Sequence, residues 1–582
     1  MVFLSPDRKG LAKAGFVRPL GVASGADLVV LLLIGTMAVL VVHGVQQMNR
    51  PLTQLQLHPV MLDLARLPGY ALLTTLRMFA AILCSLLFTF VAGLLAAKSR
   101  KAAMVVVPAL DILQSVPVLG FLTFTVAFFL NLFPGRELGA ECASIFAVFT
   151  AQAWNMAFSF YQSLRTLPGD LDQAARQFGL SPWRRFLRLE LPFAMPGLIW
   201  NTMMSMSGGW FFVVASEAIT VGDKTVTLPG IGSWLALAIE RRDFAAVAWA
   251  VGAMAVVIAL YDQLLFRPIV AWADKFRFEQ TDSAEKPQSW VYDLIRRTRV
   301  TRWVQAPFAW AELAIGPISL PRLSIRRPQL SARTDRLLDI VWIAVVVAIT
   351  LAVAVYAAVI LSHTLDLKDA LKVVGLGAIT LARVLVLIAI ATVIWVPIGV
   401  WIGLRPAWAE RVQPFAQFLA AFPANVLFPG AVVTIVAFHL NPDIWLSPLM
   451  VLGTQWYILF NVIAGASALP TDLKEAGAIF GVQSWQWWRQ IGLPGIFPYY
   501  VTGAITASGG SWNASIVAES VSWGHTHLEA HGLGAFIATA TTAGDLPRVA
   551  LGVAVMSLFV ILLNRTLWRP LYGLAERRLR LD

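Results

Sequence analysis

Along the chain, long apolar runs alternate with short stretches of polar and turn-forming residues. Runs at about 28–45, 70–97, 104–130, 143–163, 196–220 and 244–266 are followed by a second series at about 338–361, 370–404, 412–438, 446–466, 498–522 and 546–565. An α-helix needs ~20 apolar residues to cross the hydrocarbon core of a bilayer. The pattern therefore predicts an all-α polytopic membrane protein of about twelve spans in two tandem six-helix repeats. The expected organisation is an N-terminal segment 1–27, a first unit 28–271, a linker 272–336, a second unit 337–570 and a tail 571–582. The first run continues into His43-Gly-Val-Gln-Gln-Met-Asn-Arg50 rather than a small-residue cleavage site, which reads as a retained span.

Composition narrows the class. Of 582 residues 58% are hydrophobic and 13% charged, against ~25% charged in a soluble domain, which excludes a soluble globular protein. Lys and Arg number 45 against 33 Asp and Glu, and in such a chain the excess anchors cytoplasmic loops. That rule puts Arg8, Lys9, Lys13 and Arg18, the stretch Lys98-Ser-Arg-Lys101, the segments 164–195 and 267–336, and Arg577, Arg578 and Arg580 on the cytoplasmic side. Both termini are then cytoplasmic, with Lys224, Arg241 and Arg242 as outside exceptions. The linker is rich in Arg and Pro, and a short interfacial helix is expected near Trp290 to Trp310. No basic stripe with interleaved aromatics points to nucleic acid, and two cysteines, Cys84 and Cys142, make neither a disulfide framework nor a metal quartet.

The halves repeat in register. A constant shift of 302 positions pairs Leu167-Pro168 with Leu469-Pro470, Gly179 with Gly481, Leu191-Pro192 with Leu493-Pro494, Trp210 with Trp512, Glu217 with Glu519 and Arg267-Pro268 with Arg569-Pro570. Six spans per half return the chain to the same side, so the duplication is parallel and the two halves enclose a pathway between them.

Between the fourth and fifth spans of each half lie Gln173-Ala174-Ala175-Arg-Gln-Phe-Gly179, nine residues, then Leu189-Glu-Leu191-Pro192, and Glu475-Ala476-Gly477-Ala-Ile-Phe-Gly481, nine residues, then Ile491-Gly-Leu493-Pro494. Small residues let a short helix approach a partner surface, glycine permits a tight turn, and Leu-Pro opens the next helix. The spacing resembles the Glu-Ala-Ala loop of ABC importer permeases, with departures at Gln173, Leu189 and Gly477. The segments Ser207-Gly-Gly-Trp210 to Glu217 and Ser508-Gly-Gly-Ser-Trp512 to Glu519, and Thr74-x-x-Arg77 repeated as Thr380-x-x-Arg383, are similar to the nitrate, sulfonate, taurine and bicarbonate group. The resemblance implies a type I-like transmembrane domain in the bacterial inner membrane, coupled through these loops to two ATPase subunits. It also implies a periplasmic or lipid-anchored solute-binding protein and a small anionic solute. No Gly-x-x-x-x-Gly-Lys-Ser/Thr phosphate loop occurs in the chain. The chain is thus expected to bind no cofactor and to be no enzyme, ATP and Mg being used by the partner subunits.

Candidate pathway or gate residues are Arg77, Gln152, Trp210, Glu217, Arg383, Gln455, Trp512, Asn513 and Glu519. Glu217 and Glu519 stand in otherwise apolar runs, where an ionisable group faces a partner or a wet cavity; a structural anchor to a backbone or an Arg weighs equally. Arg77 and Arg383 either attract an oxoanion or pair and snorkel, the second being favoured. Trp210 and Trp512 beside small residues suit a bulky gate, while Gln152, Asn155, Gln455 and Asn461 read first as bundle hydrogen-bonders and second as pore lining. His525, His527 and His531 with Glu529 form an outer loop expected to meet the delivery protein rather than a metal. The rival readings are a ferric-ion or polyamine permease sharing the coupling loops, an ion-gradient-driven transporter, and last a membrane enzyme.

Overall fold

The computed structural model describes residues 25–48, 60–114, 116–221, 224–276, 289–298, 332–362 and 366–578. The basic N-terminal cluster, most of the linker and the last four residues lie outside the described residues.

Among the described residues, five helices are long and apolar enough to cross a membrane: Val30–Met48, Leu67–Lys98, Phe244–Ala273, Leu367–Gly403 and Leu546–Ala575. Two bent pairs bring the number to seven. The helices Leu138–Arg165, Leu191–Ser216 and Leu493–Ala518 have 28, 26 and 26 residues but are more polar. Polar groups such as Gln152, Asn155, Asn201 and Asn513 are tolerated because they turn inward and bond to neighbours.

Several apolar runs divide differently from the expectation. Residues 104–130 are not one span: a helix Arg100–Leu113 begins at Ser99, whose side chain caps the Ala102 amide, and a second helix runs Val118–Leu132. Pro117, with φ −68° and ψ 117°, supplies the break. The basic stretch 98–101 is therefore a single-residue hinge between helices. Residues 412–438 bend by 80° around Phe422-Pro423, and the Pro442–Leu452 and Gln455–Ser467 segments meet at 43°. The runs 196–220 and 498–522 each end early, because the helix stops before Glu217 or Glu519 and the β-branched residues beyond form two-stranded antiparallel hairpins, Ala218–Val221 with Lys224–Thr227 and Ser520–Trp523 with Thr526–Glu529.

From 169 onward the halves match element for element at the 302-residue shift. Helices Gly169–Gln177 and Thr471–Ile479, π-turns Phe186–Glu190 and Trp488–Gly492, the hairpins, helices Ile231–Glu240 and Leu533–Thr542, and π-turns Asp262–Phe266 and Asn564–Trp568 all correspond. The repeat extends to helical irregularities, since π-bulges are rare outside positions that need them. The helix expected near Trp290 covers Trp290–Arg297, with Trp290 exposed and Val291 buried. Just past the Phe244–Ala273 span, Lys275 lies 4.5 and 4.7 Å from the rings of Trp272 and Phe276, and burial pushes its ammonium below the ordinary lysine value.

Candidate functional site

Three features recur in both halves or lie between them: an ion lock beside each hairpin, a helical loop at the opposite end of the long helix, and a cavity.

Each lock is assembled from three helix ends. In the first half, Arg77 donates from Nε and Nη2 to Glu141 at 2.6 Å each and from Nη1 to Glu217 at 2.7 Å. Arg77 and Glu217 are wholly buried and Glu141 is 1% exposed. Glu217 ends its helix, and its other carboxylate oxygen accepts the Gly232 amide at 2.6 Å, at the start of helix Ile231–Glu240, where aligned peptide dipoles favour an anion. A Cβ on Gly230 or Gly232 would overlap that carboxylate. The side chain of Thr74 accepts from the Ile231 amide, so the Thr-x-x-Arg pair grips both components of the lock.

In the second half Arg383 bonds Glu519 and Asp443 at 3.0 Å each, while the Gly534 and Ala535 amides and the Thr380 hydroxyl donate to Glu519. Asp443, the counterpart of Glu141, is 37% exposed and also accepts from the backbone and ring of His531. The lock is the same in plan, wetter in execution.

These positions bear on two expectations. Glu217 and Glu519 stand at helix ends rather than within spans, because the apolar residues after them belong to hairpins. Arg77 is wholly buried and spends three of its five N–H donors on two carboxylates, the pairing favoured over an oxoanion site. Glu141 and Asp443 were not singled out from the sequence, although the 302-residue shift sets one acid opposite another.

The loops at the other end close in matching ways. Helices Gly169–Gln177 and Thr471–Ile479 each end in a glycine of left-handed φ, +65° at Gly179 and +66° at Gly481. In each the glycine amide bonds three residues back and the next amide five residues back, to Ala175 in the first loop and Gly477 in the second, which is the Schellman arrangement. Gln173 and Glu475 are exposed, Ala174 and Ala476 half-buried, Ala175 and Gly477 buried. The departure at Gly477 has a physical reason: a Cβ there would meet the Cδ1 atom of Ile491, the residue that replaces Leu189. Leu191-Pro192 and Leu493-Pro494 open the long helices. The first loop is stapled by ion pairs, Lys98 to Glu190, Glu190 to Arg185 and Arg185 to Asp172, at 2.9, 3.0 and 3.2 Å. In the second, Trp487 covers Gly492 instead. Phe178, Trp183, Ile479, Phe480 and Trp485 are exposed on the two loops.

A cavity of about 370 Å³ lies between the halves. Equivalent positions of the repeat carry different residues in the lining: Trp200 corresponds to Thr502, Asn155 to Tyr457, and Phe211 to Asn513. Among the described residues, no Asp, Glu, Lys, Arg or His lines it. Of the nine candidate pathway residues only Asn513 does; its Oδ1 accepts the Val118 amide of the other half at 2.7 Å. Trp210 and Trp512 are buried away from it, against Tyr261 and Phe559. Gln152 is buried beside Ser85, and Gln455 accepts from the Trp395 indole. Asn155 and Asn461, read first as bundle groups, both line it, and Trp200, Asn201 and Thr502 were not singled out from the sequence.

In the outer loop, His531 contacts Asp443 and Glu529 accepts from the Thr539 hydroxyl. The turn residues 222–223 of the first hairpin lie outside the described residues.

The family described as the binding-protein-dependent transport system inner membrane component matches this chain twice, over residues 89–267 and 395–580, together more than half of it. The chain belongs to that family. Its two matched stretches each carry one loop and one hairpin. The chain is 27% identical over 186 residues to a bicarbonate transport system permease protein of Synechococcus elongatus, covering 32% of this chain and 64% of that one. It is 26% identical over 187 residues to a nitrate import permease protein of Leptolyngbya laminosa (32% and 63%). It is 30% identical over 183 residues to a glycine betaine/proline betaine transport system permease protein of Salmonella typhimurium (31% and 47%). The chain thus spans less than two thirds of the length of these relatives.

Proposed function

We propose that this inner membrane component is the fused permease of an ABC importer, both halves of the translocation domain in one chain, moving a small polar solute into the cell. The observation that carries the reading is the repeated short helix with its glycine cap, leading into the long helix whose opposite end holds the ion lock. A push on the loop is transmitted along one rigid helix toward the walls of the cavity, which both halves share.

In this reading the exposed Phe178, Trp183, Ile479, Phe480 and Trp485 are the docking surface for two ATPase subunits, since exposed apolar clusters mark interaction sites. ATP and Mg are used there, not by this chain, which forms and breaks no bond in the solute. The coupling loops and both termini face the cytoplasm, and a periplasmic or lipid-anchored binding protein delivers solute at the hairpin end. The names of the relatives support a small solute and divide between anions, the class read from the sequence, and betaines.

The test is co-purification of the full chain with the ATPase encoded beside its gene, comparing wild type with Gly179→Leu and Gly481→Leu. Capture by the wild type and loss or uncoupling in the variants is expected. Solute uptake driven by an ion gradient, with no ATPase captured, overturns the reading in favour of a secondary transporter.

A further inference from the structure

The cavity is lined in a way that bears on what it holds. Its fixed charge is nil: no Asp, Glu, Lys, Arg or His lines it among the described residues, and the buried guanidinium of Arg77 is paired with two carboxylates elsewhere. Its polar groups are uncharged and of both hydrogen-bonding kinds. The hydroxyls of Thr502, Thr506 and Ser207 donate to carbonyls of their own helices, and both amide hydrogens of Asn201 are used on Ser159 and Gly197. These groups turn lone pairs toward the space, while the Tyr457 hydroxyl, the Gln114 amide and the indole N–H groups of Trp154 and Trp200 are the donors of the lining. Between them stand aromatic rings, among them Trp154, Trp200, Phe211 and Tyr457, whose faces carry negative potential.

Acceptor oxygens and ring faces attract positively polarised N–H or N–CH₃ groups, and a free anion finds no cationic side chain among the lining residues. Without a carboxylate, a free cation has no counter-charge and pays the full cost of leaving water. Resting on the permease reading above, we infer that the cavity is a recognition station for a small net-neutral nitrogenous solute, a zwitterion or an N–H heterocycle, with Trp200 and Asn201 as specificity determinants. The station selects by hydrogen bonding and ring contact.

The test uses the full chain in lipid nanodiscs, with equilibrium dialysis of radiolabelled glycine betaine, proline betaine, cytosine, nitrate and bicarbonate at fixed ionic strength. At least one neutral probe is expected to bind about tenfold or more tightly than either anion. Trp200→Ala is expected to weaken that probe by about tenfold. Thr502→Lys, at the exposed lining position equivalent to Trp200 in the repeat, supplies a cation, and is expected to reverse the order in favour of nitrate while the protein stays monodisperse. Wild-type binding of an anion as tight as any neutral probe, absence of binding by all three neutral probes, or an order unmoved by both variants overturns the inference. Because ATPase capture is measured separately, any of these results with capture intact removes the station and leaves the importer reading standing.

Discussion

Replacing Arg77 by Gln removes the one cation between two carboxylates, Glu141 and Glu217, that are 1% and 0% exposed. Breaking a buried pair by removing one partner costs about 3–5 kcal/mol, because the remaining charge is left without compensation, and here two are left. The amide of Gly232 offsets part of this for Glu217; among the described residues, the side-chain hydrogen bonds of Glu141 come from Arg77 itself. The cost of Arg77→Gln therefore falls at the upper end of that range. Arg383→Gln leaves Asp443, 37% exposed and still bonded to His531, so water and imidazole absorb much of the loss, and about 1–2 kcal/mol is expected by the measure of a partly exposed pair. The assay is thermal unfolding of the detergent-purified protein followed by size-exclusion recovery. Arg77→Gln should lower the midpoint at least about twice as far as Arg383→Gln. Neutralising the acids as well, in Arg77→Gln with Glu141→Gln and Glu217→Gln, should restore part of it. Equal losses for the two arginines, or a triple variant less stable than the single, would refute the argument that uncompensated buried charge dominates.

Other consequences can be measured in the same way. Gly232→Ala puts a Cβ against the Val214 carbonyl and the Glu217 carboxylate, neither free to move, and should lower the melting midpoint clearly, while Gly252→Ala, with open space around it, should not. Gly481→Ala meets no atom but holds a left-handed φ, so a loss of about 1 kcal/mol is expected from backbone strain alone, read as faster proteolysis at the loop. Asn513→Ala leaves the Val118 amide unpaired between the halves and should cost about 1–3 kcal/mol, visible as weaker association of the two halves when they are co-expressed as separate chains.

Much of the architecture is legible in the sequence because it rests on repetition and periodicity. The 302-residue register announces the paired loops, and the glycines at 179 and 481 sit where a helix must turn. The breaks are less legible. Ala-Ile-Thr-Val after Glu217 reads as a continuation of an apolar helix, since hydropathy does not distinguish a β-branched strand from a membrane segment. A proline at 117 or 423 within a long apolar run is compatible with either a kink or a stop, and the neighbouring helices decide. The locks join residues 64 and 140 positions apart, a separation at which no local pattern carries information, and the cavity depends on which face of each helix turns inward. Trp200 and Thr502 illustrate this: by type one is core and the other surface, and only packing brings both to the cavity.

The unlike pairs around the cavity have a consequence for how a solute sits. In a dimer of identical half-length chains, the walls would be related by a two-fold axis, and any molecule with a distinct head and tail would find two orientations of equal energy. Trp200 with Thr502, Asn155 with Tyr457 and Phe211 with Asn513 remove that degeneracy. In the proposed importer, a polar molecule held in this cavity meets one preferred pose rather than a pair, so that which end leads becomes a property written into the covalent order of the two halves.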